Sequence, residues 1–557
     1  MKKKLLWPVF LASLMLTGFQ AGSQAAQKAI RLDKFVADFS EARSDDGAYR
    51  DAARDLNVEI AREGFTLLKN KDGALPFNQN IKRISVFGKS SVDLIYNGGG
   101  SGQGRPDSAR NVDMQGSLEK AGYELNPTLT QFYGNKNGFD SGSGRTTPTS
   151  YDGKAYNTVG ETPIEKYTDT VRASFENDYN DAAVVVLSRS GTEGADNKTC
   201  DARDFKSDPF SHKHYLELSK NEEDMIAMIE EKFDKIVVII NSGSAFQCDQ
   251  LENDDKIVGI LWMGTPGTAG TVAVGEILSG AVNPSGRTVD TWARDFTKDP
   301  TFENFSDNAQ TNLVEVNGKE VYLPNDSMLD HNGKPVISIG TDKNYTDKNN
   351  PRYETEYEGG KATGEQYKVV QGGLNGVKPA AYVEYEEGIY YDYRYYETKY
   401  ADMVAAGQQQ AADDWYKGAN GTKTGVAFPF GYGLSYTTFK QEIVSMNYAD
   451  GAILNKNTKT VELKVKVTNE GSVAGKECVQ VYWRAPYTAG GIEKADRVLC
   501  AFAKTGEIAP GNSEEVKLSF YIQDVANYDY TDANHNGFKG YELDAGNYEV
   551  LLCKNAH

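Results

Sequence analysis

Val184-Val185-Val186-Leu187-Ser188-Arg189-Ser190-Gly191-Thr192-Glu193-Gly194-Ala195-Asp196 decides the fold of this chain. Three valines and a leucine in a row read as a strand buried on both faces, the kind found in parallel sheets rather than in alternating, half-exposed ones. At its carboxyl end the strand releases a Gly-Thr-Glu-Gly loop, and the carboxyl ends of parallel strands are where open α/β sheets place their ligands. Flanking glycines let the backbone turn sharply there. Glu193 therefore stands where a carboxyl group can face a cleft as a general acid or base. A solvated loop glutamate is the competing reading of the same residue.

Outward from this segment, helix and strand alternate from about Asp45 to Arg294. Ala53, Leu56 and Ile60 recur at helical spacing, and Arg83-Ile-Ser-Val-Phe-Gly88 is a short strand. Ser219-Lys-Asn-Glu222 is a capping box, with Met225, Ile229 and Phe233 as the buried face of its helix. Lys235 to Asn241 and Lys256 to Trp262 are two more apolar strands, and Ala269 to Leu278 is a helix stopped by Gly280. Apolar strands alternating with helices predict a mostly parallel sheet between helices, an α/β sandwich, over 26–295. From 296 to 436 the chain is polar and rich in Gly, Asn, Asp and Tyr, which reads as surface loops, a wrapping arm and an inter-domain linker. After Phe439 the period changes to two. Val461, Leu463, Val465 and Val467 alternate with Glu462, Lys464 and Lys466, and further short strands follow between turns. Residues 437–557 thus read as an all-β, immunoglobulin- or fibronectin III-like sandwich.

The chain has 557 residues, long enough for two or more domains. Lys2, Lys3 and Lys4 precede a short apolar run, Leu5 to Leu16, and small residues follow; residues 1–25 are expected to be a signal peptide that directs export to the periplasm or the cell exterior. No later stretch is apolar enough to span a bilayer. Removing the signal takes the formal charge from −19 to −22, which argues against nucleic acid or an anionic membrane as partner and leaves neutral ligands untouched. The five cysteines are too few for a disulfide framework; Cys200 and Cys248 both follow strands and could meet at one sheet edge. The five histidines show no metal spacing, and Asp532-Ala-Asn-His-Asn-Gly537 begins like a calcium loop but has Leu543 where a bidentate Glu is needed. Neither a metal nor a cofactor is expected.

Six segments in order carry a family pattern: Glu63-Gly-Phe-Thr-Leu-Leu-Lys-Asn70 with Ala74-Leu-Pro-Phe77, Asn97-Gly-Gly-Gly-Ser-Gly102, Ser188 to Asp196, Asn283-Pro-Ser-Gly-Arg287, Glu387 to Tyr396, and Phe428-Pro-Phe-Gly-Tyr-Gly-Leu-Ser-Tyr436. Together they resemble family 3 of the glycoside hydrolases, the β-glucosidase group. The resemblance implies that Glu193 is the catalytic acid/base. It also implies that Gly100, Ser101 and Gly102 bring backbone and a hydroxyl to a sugar, and that Asp196 orients the site. The Tyr385 to Tyr396 segment is expected to pin the arm to the sandwich. The family's Pro-Gly-Gln-Glu stands here as Pro266-Gly-Thr-Ala269.

The resemblance also implies a (β/α)8 barrel that supplies the nucleophile, and the stretch before Asp45 is too short to be one. The expectation is therefore a domain-permuted member whose barrel is absent from this chain. Retaining glycoside hydrolysis needs two carboxyl groups about 5–5.5 Å apart; this chain offers the first. On this reading the partners are an oligo- or aryl-β-glycoside and a (β/α)8 barrel domain or subunit, and the isolated chain is inactive. The alternative is a non-catalytic carbohydrate-binding or scaffolding protein derived from that family. An immunoglobulin-like adhesin would leave the α/β half without a use.

Overall fold

The computed structural model describes residues 46–98, 111–134, 146–151, 154–159, 161–191, 197, 214–302, 305–306, 312–316, 319–323, 356–357, 360–361, 382–383, 385, 387–454 and 458–557. Residues up to Ala53 form one unit, described only as the first turns of a helix, α1 (Asp46–Gly64). Arg54–His557 form the other unit.

Six strands form the central sheet: β1 (Thr66–Asn70), β2 (Arg83–Phe87), β3 (Glu124–Leu125), β4 (Ala182–Arg189), β5 (Ile236–Ser242) and β6 (Ile257–Trp262). Their spatial order is β1-β6-β5-β4-β2-β3. All neighbours are parallel except β1, which closes one edge antiparallel to β6. The five parallel strands thus follow a doubly wound order, and the direction of winding reverses between β2 and β4.

Every residue of β4 and β5 is buried, as an apolar strand covered on both faces requires. Alternate residues feed two separate cores. Val185 and Leu187 join Phe87, Val238 and Ile240 under helices α3 (Pro127–Gly134), α4 (Asp169–Glu176) and α5 (Lys220–Glu230). Val184 and Val186 join Ile84, Val237 and Ile239 under α2 (Met114–Lys120) and α7 (Val272–Ser279). A short helix, α6 (Asp249–Asn253), lies between β5 and β6. Each fully buried valine or leucine contributes about 1.5–3 kcal/mol. The capping box forms as read: Ser219 caps α5, Glu222 bonds back to it, and Gly280 takes the left-handed conformation that ends α7.

The polar stretch holds more than loops. Two helices, α8 (Tyr393–Ala405) and α9 (Gln409–Lys417), pack through Tyr396 and Tyr416 against Ala293 and Val426, a small core the sequence reading did not anticipate. Tyrosine hid it, being as common on wet surfaces as in such clusters.

The C-terminal sandwich has two three-stranded antiparallel sheets. One is β7 (Phe439–Met446), β8 (Thr460–Asn469) and β11 (Ser513–Tyr521); the other is β10 (Val498–Lys504), β9 (Cys478–Arg484) and β12 (Glu549–Cys553). Val461, Leu463, Val465 and Val467 face Val479, Val481 and Trp483 across the core. The sandwich is bolted to the α/β part. Glu63 takes ion pairs from Lys476 and Lys504, while Arg287 pairs with Glu477 at 2.9 Å. Tyr393 packs edge-on to Tyr482 and accepts from the Leu499 N–H, so the tyrosine-rich segment does pin the arm to the sandwich. Cys248 is buried and unbridged, while Cys200 lies outside the described residues. The Asp532 carboxylate accepts from the Gly537 N–H and shapes a turn. No cluster of metal-ligating residues occurs among the described residues, and no described helix is long and apolar enough to cross a membrane.

Candidate active site

Glu193, Asp196, Gly100, Ser101 and Gly102 all fall outside the described residues. The segments that lead into and out of them are described. Parallel pairing of β2 with β4, with Phe87 opposite Val185, sends both strands out of the sheet at the same carboxyl edge. The loop after β2 leads to Gly98, and the loop after β4 leads to Gly191. These two loops flank the point where the winding reverses, the crevice in which doubly wound sheets bind ligands.

The glycine-rich loop is closed at its neck by the segment after β6. Gly267 N–H donates to Tyr96 carbonyl at 2.7 Å, and Val112 N–H donates to Thr268 carbonyl at 2.8 Å. Both limbs therefore hang from Pro266-Gly-Thr-Ala269. The Asn57 side chain fixes that segment in turn, donating to the Pro266 carbonyl and accepting from Ala269 N–H.

The excursion after β4 has its own neck. Arg189, the last residue of the strand, is fully buried and forms a bidentate pair with buried Glu222 at 2.7 and 2.9 Å. The same guanidinium donates to the carbonyls of Tyr215, Glu217 and Ser188 and lies 4.6 Å from the Phe246 ring centroid. Tyr215 also returns a bond, its hydroxyl accepting from Ser190 N–H. The chain thus leaves and re-enters through one side chain that has a fixed, planar fork of donors. Within the excursion, Asn197 bonds Ser244 on the loop after β5, and a Cβ at Gly191 would come 2.8 Å from the Asn197 Oδ1.

Two buried ionisable groups border this frame. Glu161 accepts the N–H groups of Lys89 and Thr162, yet burial outweighs them and pushes its carboxyl up to about 7. His214, at the return of the excursion, is lowered to about 4 by burial, against the opposing effect of its bond to Gln247, and stays neutral at pH 7. It stacks on Phe296 and so packs the loop base.

Asn241 ties the necks together, with its amide reaching Ile95, Ser188 and Gly264. Asn241, Arg189 and Glu161 do not stand out in the sequence as parts of the candidate site. The available signal was a polar residue closing an otherwise aliphatic strand, as Asn241 closes Ile-Val-Val-Ile-Ile and Arg189 closes the valine run.

A family profile described as the glycosyl hydrolase family 3 C-terminal domain matches residues 65–436, and one described as a fibronectin type III-like domain matches residues 477–556. β-Glucosidase A of Butyrivibrio fibrisolvens is 27% identical over 89% of this chain and 49% of its own length. A β-glucosidase of Ruminococcus albus is 26% identical over 88% of this chain and 38% of its own. Among solved structures, β-glucosidase 3B of Thermotoga neapolitana in complex with glycerol matches with a TM-score of 0.58 at 25% identity, covering 89% of this chain and 51% of that one. The chain spans about half the length of the Butyrivibrio relative.

Proposed function

Because the chain belongs to glycosyl hydrolase family 3 through its α/β domain, we propose that it is the acid/base-bearing portion of a retaining β-glycosidase, exported by its N-terminal signal and completed by a (β/α)8 barrel from outside this chain. The observation that carries this reading is the pair of loop necks flanking the winding reversal at one sheet edge, the first leading to Ser101 and the second to Glu193.

In this reading the Glu193 carboxyl protonates the glycosidic oxygen as it departs, then takes a proton from water in the second step. Ser101 and the backbone of Gly100 and Gly102 hold a sugar hydroxyl, and Asp196 orients the acid. The barrel's carboxylate attacks the anomeric carbon. The α/β domain's part is to hold the proton donor on a rigid sheet edge, since a misplacement of about 1 Å can cost 10²-fold in rate. The substrate is a neutral oligo- or aryl-β-glycoside, for which the acidic surface is no obstacle.

The test is an aryl β-glucoside assay with and without a family 3 barrel, joined covalently or added as a second subunit. The chain alone is expected to give no appreciable turnover, because acid/base assistance by itself contributes roughly 10²–10⁴-fold. The completed pair is expected to turn over. Robust activity of the chain alone, surviving Glu193→Gln, would overturn both the site and the mechanism. A completed pair that binds sugar without turnover would favour a carbohydrate-binding protein.

A further inference from the structure

Asn241 is 0% exposed at the carboxyl end of β5, a strand otherwise aliphatic up to Ile240. Its Oδ1 accepts from Ile95 N–H at 2.7 Å and from the Ser188 hydroxyl at 3.1 Å. Its Nδ2 donates to Ile95 carbonyl at 2.9 Å and to Gly264 carbonyl at 2.7 Å. The two bonds to Ile95 copy the pairing of one peptide group with another and fix that residue in register with β5. Each partner stands just ahead of a loop that matters: Ile95 before Gly98, Ser188 before Gly191, and Gly264 before Gly267.

An aliphatic side chain would fill the same volume without desolvating an amide, a penalty of about 1–3 kcal/mol when such a group is left unbonded. The amide is therefore explained by what it connects. We infer that Asn241 is a positioning residue, setting the departure of the loop that leads to Ser101 against the departure of the loop that leads to Glu193. This rests on the catalytic reading above for those two loops. One planar group with acceptor and donors in fixed relation holds the two points of departure, Ile95 and Ser188, at a set separation, and catalytic groups need supports fixed to within about 0.5 Å.

Asn241→Asp keeps the shape but turns a carboxylate oxygen toward the Ile95 and Gly264 carbonyls, and that repulsion displaces the side chain from the Ser188 hydroxyl as well. In the full-length chain, amide hydrogen exchange is expected to rise about fivefold, the equivalent of one hydrogen bond of ~1 kcal/mol, at both Tyr96–Gly98 and Ser190–Gly191. The interior of β5, Val237 to Ile240, stays as protected as in the wild type. A rise confined to Tyr96–Gly98, or one spread evenly through the sheet, would overturn the inference. Should Asn241→Asp fail to fold, Ser188→Ala cuts only the bond toward the Glu193 strand; it is expected to raise exchange at Ser190–Gly191 alone, and no rise there counts against coupling. In the barrel-completed chain, Glu193→Gln should cost less kcat in the Asn241→Asp background than in the wild type, because the proton donor is already displaced; equal costs contradict positioning. If the completed wild type does not turn over, the catalytic reading fails while the exchange data still decide whether Asn241 couples the loops.

Discussion

Glu161 is the residue whose titration the fold perturbs most legibly. Its carboxyl is buried between α5 and the turn after β2, and burial lifts it from 4.5 to about 7 even though two backbone N–H groups favour the charged form. A carboxyl raised in the folded state contributes stability that is complete below its unfolded pKa and is lost as pH rises through the folded value. Stability should therefore fall between about pH 4.5 and 7, by an amount on the order of 3 kcal/mol from this group. Glu161→Gln should flatten that decline whatever it costs at pH 4.5, as read from urea midpoints across the range. An unchanged pH profile would mean the carboxyl is not buried as described. Arg189 makes a second prediction. Arg189→Met strands the buried Glu222 carboxylate and should cost about 3–5 kcal/mol in urea unfolding. Adding Glu222→Leu should recover part of that loss, because the unpaired charge is gone while the bonds from Arg189 to the Tyr215 and Glu217 carbonyls are not restored.

Among the elements, α7 and α2 come close enough for one hydrogen to matter. A Cβ on Gly275 would lie 2.3 Å from the Ser117 carbonyl oxygen and 3.0 Å from the Ala121 Cβ. Gly275→Ala should accordingly destabilise by about 1–3 kcal/mol through overpacking, despite alanine's better helix propensity. A neutral or stabilising result would show that the helices separate freely. Elements of this kind were legible wherever the pattern had a single physical solution. The Val184 run admits only a doubly covered strand, Ser219 with Glu222 only a helix start, and the alternation from Val461 to Val467 only a half-buried strand. The helices α8 and α9 were not legible, because Tyr, Gln, Asp and Lys at their faces are also the residues of a wet loop. Of the candidate site, the departure of two loops from one sheet edge was legible. Its necks were not, since they are built from backbone carbonyls answered by side chains far away in sequence, as Arg189 answers Tyr215 and Glu217.

For the whole of Arg54–His557, the sandwich and the α/β domain should behave as one cooperative body. Arg287 and Glu477 are nearly buried at the junction. Burial raises the Glu63 carboxyl, but the ammonium groups of Lys476 and Lys504 bring it below its usual range. Near-UV signals from Trp483 in the sandwich and Trp292 in the α/β core should therefore melt together, and Arg287→Ala should separate the two transitions. Two well-resolved transitions in the wild type would show a looser junction. The same rigidity is what a proton donor delivered to a foreign barrel requires. Whether the proposed acid/base carboxyl of this chain serves that pairing is tested by leaving-group dependence. Rates are measured for a series of aryl β-glucosides with the barrel-completed chain, wild type against Glu193→Gln. The variant is expected to lose roughly 10²–10⁴-fold on poor leaving groups and little on the most acidic phenols, which depart without protonation. A loss of equal size across the series, or none, would contradict it.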